Sequence, residues 1–597
     1  MKASDYIVNF LIEKGITDVF GYPGGMVTHL MDSFCSYKDK ISAHVTYHEQ
    51  AAAFAACGYA QSSNKIGVAY ATSGPGATNL ITGICNAYFD SVPVIFITGQ
   101  VNSNEQKGNL GVRQRGFQET DIVSIVKTVT KYAVCIKDAE SIPEELDKAY
   151  NIAMSGRKGP VLLDVPMNFF RADILDGHPS LNLRADNSNF DVFPEEFIKK
   201  SLLESSAPVF LIGAGVKSSN NVERIRVIIN KFKIPTVSSM IAFDVLSDNP
   251  LYFGFVGAYG TRAANFIVAK SDLIITIGSR LDIRQVGIHR NNFAPEAKII
   301  RFDIDRGELQ YKVHEDEHQF CIDIDTVLNY FDKLDNLENF ASWISVCNEI
   351  KYLLTDIDFN STQNLMNKLN RLITDDSVIT TDVGQNQVWV AQSIKTNSTQ
   401  RVLFSGSFGA MGYSLPSAIG AYYGSGRKSV FCITGDGGLQ MNLQELQFIA
   451  RENIPVKIIV LNNNALGMIR HFQEMYFQSR YFQTKPEGGY SSPDFVKLSE
   501  AYGIKSKRLD LNSIDDFEWS DGPELIELYL EENTYVTPKL EFGKPNQDQT
   551  PLIDRELYNK IMLLKPYKTN SYILPGGVKP YKYNHAMIPS NNLRRVA

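Results

Sequence analysis

Short apolar runs bounded by turn residues alternate with longer helical patterns along most of this chain. In residues 1–175 the runs at 66–72, 94–98 and 161–165 read as buried strands. A second set starts at 209–215 and includes 273–277 and 298–302, and a third includes 430–434 and 456–461. Buried strands separated by helical segments predict parallel sheets covered by helices. The expected fold class is therefore α/β, with three doubly wound parallel-sheet domains at 1–175, 190–335 and 355–540. The polar stretch 171–194, with Asp-Gly, His-Pro and several Asn, reads as a linker. After residue 540 the pattern stops. Residues 544–550 are polar, and the closing residues are rich in Tyr, Asn, Pro and Lys. Residues 541–597 are expected to form a C-terminal tail packed over the body, over the site entrance in one reading. Disorder is the alternative by composition.

Bulk properties narrow the class. A chain of 597 residues is too long for one core. A hydrophobic fraction of 44% and a charged fraction of 21% are ordinary for a globular protein. A net charge of −7 argues against a nucleic-acid partner held through phosphates. No apolar run is long enough to span a membrane, and Met1-Lys2-Ala3-Ser4-Asp5 lacks an apolar signal core. The seven cysteines are scattered without a CxxC, so neither a disulfide framework nor a zinc site is expected. A cytoplasmic location fits these features.

The strongest chemical signal is Gly435-Asp436-Gly437 followed by Asn462-Asn463, with residues 438–461 between them. The run 430–434 delivers Asp436 into a Gly-rich turn where backbone N–H groups and a helix N-terminus can meet a phosphate. The run 456–461 then delivers the amide oxygen of Asn463. Mg²⁺ prefers hard oxygen ligands and completes its octahedron with substrate phosphates. The pair reads as a Mg²⁺-diphosphate cradle.

That spacing resembles the thiamin diphosphate signature. Residues 435–484 resemble the cofactor-binding segment of acetolactate synthases. Phe20-Gly21-Tyr22-Pro23-Gly24-Gly25, Tyr47-His48-Glu49-Gln50-Ala51 and the run 71–79 (ATSGPGATN) resemble the same family's pyrimidine-domain motifs. The likeness spans about residues 1–540. It implies a pyrimidine-binding domain, a central domain and a diphosphate-binding domain, in that order, and a thiamin diphosphate- and Mg²⁺-dependent carboligase. Such an enzyme decarboxylates pyruvate and passes a two-carbon unit to a second carbonyl compound.

The resemblance also implies roles. Glu49 would exchange a proton with the cofactor's aminopyrimidine, work suited to a carboxyl in an apolar pocket; a helix-start Glu is the structural alternative. Thr72 would contact the cofactor, with Gln118 and Phe117 beside the reacting centre. Asp436, Asn463 and the carbonyl of Ala465 would hold the metal. Gly384, Gln385, Asn386, Gly435, Gly437, Gly438 and Leu439 would line the diphosphate, although Asn386 stands where the family often has His and cannot carry a proton. Met411, after Gly409, would be the wedge that bends the cofactor, a task suited to a flexible apolar side chain. Met468 would pack on the pyrimidine side. Glu49 would serve a cofactor held by another subunit, making a homodimer or homotetramer with sites at the interface.

Departures from the family bear on the acceptor. Phe472 stands where a Trp is usual, and Arg470 and His471 beside it are unusual. The loop 99–118 is longer than usual and adds Arg113 and Arg115, which with Gly24 and Phe472 are candidate acceptor-pocket residues; an Arg fork binds carboxylate or phosphate. A solvated basic loop is the alternative. The acceptor stays open between pyruvate, 2-oxobutyrate and a keto sugar. The second reading is two-carbon transfer to a nucleotide-linked keto sugar, as in a branch of the family found in surface-polysaccharide pathways. Simple decarboxylation and a non-catalytic subunit that keeps the fold are further alternatives. In the central domain, Gly213, Gly215, Gly257, Tyr259, Gly278, Arg280, Asp282, Arg284, Asp303 and Asp323 resemble FAD-contacting positions. Ala258-Tyr259 replaces the usual Met-His there, and an empty or ADP-filled domain is the alternative.

Overall fold

The computed structural model describes residues 1–175, 190–335 and 340–566. Among them are three six-stranded sheets, and every pair of neighbouring strands is parallel. The α/β class with doubly wound parallel sheets is observed. The first sheet runs in the order Ser42–Val45, Asp18–Gly21, Gly67–Ala71, Val94–Gln100, Val161–Pro166, Tyr132–Cys135. The third repeats that order with Arg401–Leu403, Val378–Thr381, Val430–Gly435, Val456–Asn462, Glu524–Tyr529 and Lys505–Leu509.

The middle sheet is threaded differently. Its order is Glu317–Cys321, Lys298–Asp303, Leu273–Ile277, Pro208–Ile212, Thr236–Ser238, Tyr252–Phe255. Numbered within the sheet, this is the 3-2-1-4-5-6 arrangement of dinucleotide-binding folds. In all three sheets, ligands belong at the carboxyl ends of the strands where the winding reverses. Those points are 21–25 with 72–76, 213–215 with 278–280, and 382–386 with 435–438.

One helix pair joins the first sheet's layer to the third's. Helix Glu49–Ser63 is Ala-rich and helix-favouring, and Ala51 through Ala60 are buried on every face, as expected of a helix enclosed by protein. His48 caps its start by accepting the Gln50 N–H, and Asn64 closes its end at φ 58°. Helix Ser414–Gly424 packs along it with Gly and small residues at the contact. A Cβ on Gly420 would overlap the Ala55 carbonyl oxygen, and one on Gly58 would overlap that of Ser417. The two backbones touch, and one apolar core is shared between Phe54, Ala56, Tyr413, Leu415 and Ile419.

The two ends of the 171–194 segment are fastened: Asp173 bridges to Lys2, and the Asp191 carboxylate accepts the Cys321 N–H at 2.7 Å. Residues 176–189 of the expected linker lie outside the described residues. The start of the tail is packed. Leu540 N–H donates to Ala258 O at 2.7 Å, Asn546 Nδ2 to Gln285 O at 2.7 Å, and Gln549 Nε2 to Gly260 O at 2.9 Å. Helix Arg555–Leu563 follows. Residues 567–597 lie outside the described residues. No helix among the described residues is long and apolar enough to cross a membrane.

Because the helix pair has no room for a methyl group, Gly420→Ala should destabilise the protein by about 1–3 kcal/mol. A chemical-denaturation midpoint unchanged from wild type would refute this account of the contact.

Candidate functional site

The third sheet presents its chemistry at its winding reversal. Strand Val430–Gly435 runs directly into helix Asp436–Met441, so the N–H groups of Gly437, Gly438 and Leu439 sit in a first turn without intrahelical partners. The Leu439 side chain is core, leaving only its backbone for a ligand. Asp436 is buried, and burial pushes its pKa up to about 6. Tyr490 donates to its Oδ2 at 3.1 Å, and the backbone of Gly437 and Ala465 also draws on the carboxylate. Asn463 directly follows strand Val456–Asn462, its Nδ2 donating to Gln385 Oε1 at 3.2 Å, which leaves Asn463 Oδ1 for a cation. Gln385 Nε2 is buried without a partner among the described residues.

Close glycines shape this cradle. A Cβ on Gly467 would overlap Gln385 Oε1, and one on Gly437 would lie 2.8 Å from Leu466 Cδ2 and 3.1 Å from Met411 Cε. Gly409 and Gly412, on either side of Met411, hold φ of 72° and 82°. Gly384 and Gly435 both approach Asn386 Oδ1. Asn386 Nδ2 donates to Asp382 O at 2.8 Å and braces the loop with one of its two amide hydrogens. Met468 packs against the apolar core.

Two residues here were not singled out from the sequence. Asp382 accepts from the N–H of Val383 and Gly412 at 2.9 Å each, from Ser414 N–H at 3.0 Å and from Ser414 Oγ at 2.7 Å. It ties the Gln385 loop to the Met411 loop. Its signal was the carboxylate immediately after the run 378–381. Tyr490 lies 54 residues beyond Asp436 and carries no local signal.

The first sheet's reversal gathers the other cluster. Glu49 is 8% exposed, and Asn79 Nδ2 donates to its Oε2 at 2.9 Å. A Cβ on Gly76 would lie 3.2 Å from Glu49 Oε1 and 2.9 Å from Thr72 Cγ2. Thr72 Oγ1 accepts the Met26 N–H at 3.2 Å, and Gly24 packs so closely on Thr72 that a Cβ there would collide. Gln118, at φ 65°, lies against Gly74. Phe117, by contrast, is 79% exposed, and Arg113 and Arg115 face solvent. Glu119 organises that loop by accepting the N–H of Lys107, Arg115 (2.9 Å) and Gly116 (3.2 Å). Among the described residues no hydrogen bond joins Glu49 to Asp436, Asn463 or Gln385.

Phe472 is 36% exposed and sits in an aromatic group with Tyr476 (4.7 Å between centroids), Phe477 (5.9 Å) and Phe542 of the tail (6.0 Å). Arg470 is held within the fold. It is buried, donates to Glu532 O at 2.8 Å and lies over the Tyr481 ring at 4.6 Å. His471 stacks on Tyr535 at 4.0 Å, and burial pushes its pKa down to about 4. Both residues pin the segment after the last strand.

The middle sheet's reversal opens a cavity of about 480 Å³ lined by Gly213, Gly215, Tyr259, Gly278, Arg280, Asp282, Arg284, Asp303 and Asp323. Gly213, Gly215 and Gly278 pack backbone to backbone. Gly257 does not line the cavity; at φ 115° it packs against Arg284 O. Arg284 lies 5.9 Å over the Tyr259 ring. Ser239 Oγ is buried on the wall without a partner among the described residues.

Residues 1–125, 196–331 and 382–522 match the N-terminal TPP binding domain, the central domain and the C-terminal TPP binding domain of thiamine pyrophosphate enzymes. The chain is 34% identical over 565 residues to the acetolactate synthase isozyme 2 large subunit of Escherichia coli K12, covering 92% of this chain and 99% of that protein. It is 35% identical to the acetolactate synthase large subunit of Lactococcus lactis, covering 91% of this chain and 95% of the relative. It is 38% identical to the probable acetolactate synthase large subunit of Methanocaldococcus jannaschii, covering 85% and 88%.

Gly467→Ala should push Gln385 away from Asn463 and weaken binding of thiamin diphosphate by at least about tenfold, ~1.4 kcal/mol. Calorimetric titration checks this, and wild-type affinity would contradict the described cradle.

Proposed function

The chain belongs to the acetolactate synthase family of thiamine pyrophosphate enzymes, and on that premise we propose that it condenses the two-carbon unit of pyruvate with a second carbonyl compound. The observation that carries this reading is the convergence of Asp436, Asn463 and Gln385 beneath Met411, with an orphan amide donor and a glycine floor. The donor set suits the group: hard oxygens for Mg²⁺ and N–H groups for a diphosphate. Thiamin diphosphate, when bound, stabilises the carbanion left when a 2-oxo acid loses CO₂.

The chain's own residues supply the rest. Asp436, Asn463 Oδ1 and the Ala465 carbonyl hold Mg²⁺. Gln385 Nε2 and the first-turn N–H groups of Gly437, Gly438 and Leu439 hold the diphosphate. Glu49 has Oε2 engaged by Asn79, so Oε1 is the atom that exchanges a proton with the pyrimidine. Gly24 and Gln118, with Phe117 and Phe472, bound the acceptor, and Arg113 and Arg115 attract its carboxylate. Phe542 lengthens the Phe472 wall from the tail.

Glu49 and Asp436 sit at different sheet reversals with no hydrogen bond between them among the described residues, and Phe117 is exposed; both support a homodimer in which each site takes its Glu49 half from one subunit and its Asp436 half from the other. The domain limits 1–175, 190–335 and 355–540 fit this division of labour. The central cavity suits FAD in a structural role: its strand order is that of dinucleotide binders, the orphan Ser239 Oγ awaits a partner, and Asp303 and Asp323 stand where ribose hydroxyls are met. Seven unpaired cysteines suit a reducing cytoplasm.

Glu49→Gln and Asp436→Ala should each lower acetolactate formation by about 10²–10⁴. Unfolded and refolded together in equal amounts, the two inactive chains should recover about a quarter of wild-type activity, since half the dimers are mixed and each mixed dimer has one intact site. No recovery would contradict the shared site. The purified protein should also release FAD on denaturation, and Gly215→Val should lose it; a protein free of flavin would refute the central-domain reading.

A further inference from the structure

Helix Glu49–Ser63 is gripped at its start as well as along its length. The stretch just after helix Asp436–Met441 reaches across to the residues that lead into Glu49. Glu445 Oε1 accepts the Tyr47 N–H at 2.9 Å across 398 residues of sequence. Arg451 donates to Val45 O at 2.9 Å and to the Tyr47 hydroxyl at 3.1 Å. One amide nitrogen, Asn442 Nδ2, donates to Gln50 Oε1 at 3.2 Å and to Gly412 O, next to Met411, at 2.9 Å. Three side chains from the diphosphate-side domain therefore fix residues 45–50 from the other domain.

Glu445 is unusual for such a post. It is wholly buried, and its Oε2 has no partner among the described residues. A carboxylate is a costly choice where an amide would make the same bond to Tyr47. Burial pushes its pKa up to about 8, consistent with a neutral acid that accepts through Oε1. The bond it makes is two residues from Glu49, so a shift of the Tyr47 backbone displaces the Glu49 carboxyl. Misplacement of a reacting group by about 1 Å can cost about 10²-fold in rate.

We infer that Glu445, with Asn442 and Arg451, is a positioning residue for cofactor activation, holding residues 45–50 so that Glu49 presents its carboxyl at one place. This rests on the proposed role of Glu49. It also joins the two ends of one chain: the helix that carries Asp436 and the loop that carries Met411 are tied to the helix that carries Glu49.

The test uses Glu445→Ala and Glu445→Gln with two readouts. In the apoprotein, backbone amide exchange over residues 45–50 should speed up at least about tenfold in Glu445→Ala and stay near wild type in Glu445→Gln. In the holoenzyme, exchange of the thiazolium C2 proton should slow by about 10²-fold in Glu445→Ala and recover to within about threefold in Glu445→Gln. Wild-type C2 exchange in Glu445→Ala overturns the inference, and so does a Glu445→Gln variant as slow as Glu445→Ala. If Glu445→Ala does not fold, Arg451→Met, at a partly exposed position, should slow C2 exchange by about tenfold at an unchanged melting temperature; no slowing overturns it. Glu49→Gln separates the premise: if that variant keeps wild-type C2 exchange, the role of Glu49 fails independently of Glu445.

Discussion

The backbone contact between helices Glu49–Ser63 and Ser414–Gly424 is the constraint on which the rest depends. It is possible only because Gly58, Gly420 and Gly424 have no side chain, and close approach is what lets one core serve the first and third domains. Each helix begins at a functional loop. Glu49 opens the first, and the Met411–Gly412 turn, tied to Asp382, leads into the second. The packing that stabilises the interface therefore also sets where Glu49 and Met411 stand. Precision comes from rigid elements, and the chemistry sits on the short loops between them.

The same winding is used for two tasks. The first and third sheets share a strand order, and each exposes a glycine turn at its reversal. One turn surrounds Glu49 with Thr72 and Gly76; the other surrounds Asp436 with Gln385 and Gly467. The middle sheet, wound 3-2-1-4-5-6, opens instead into a cavity whose glycines meet backbone to backbone. The tail then closes over this middle domain through Asn546 and Gln549 and carries Phe542 to Phe472.

The sequence made the sheets legible because the strands are short apolar runs buried on both faces, which leave little ambiguity of type. Asp436, Asn463 and Glu49 were legible because each stands beside a strand end or helix start within a recognisable local pattern. Tyr490 was not, since its bond to Asp436 depends on how a distant loop folds back. The brace from Asn386 to the Asp382 carbonyl was not legible, because motif position says nothing about where an amide spends its hydrogens. Arg470 and His471 stood out only as unusual for the family, and their partners Glu532, Tyr481 and Tyr535 are set by how the chain folds back. Phe542 could not be linked to Phe472 without the path of the tail. Phe117, Arg113 and Arg115 are exposed on a loop organised by Glu119, and no local pattern announces that exposure.

An enzyme of this family joins the two-carbon unit of pyruvate to a second carbonyl, so its product carries a new carbon–carbon bond. The most direct measurement is the product distribution of the wild-type protein supplied with pyruvate, Mg²⁺ and thiamin diphosphate alone, followed by proton NMR with simultaneous CO₂ determination. Acetolactate and CO₂ are expected in equal amounts. Acetaldehyde matching the CO₂ released, or no consumption of pyruvate, would contradict carbon–carbon bond formation.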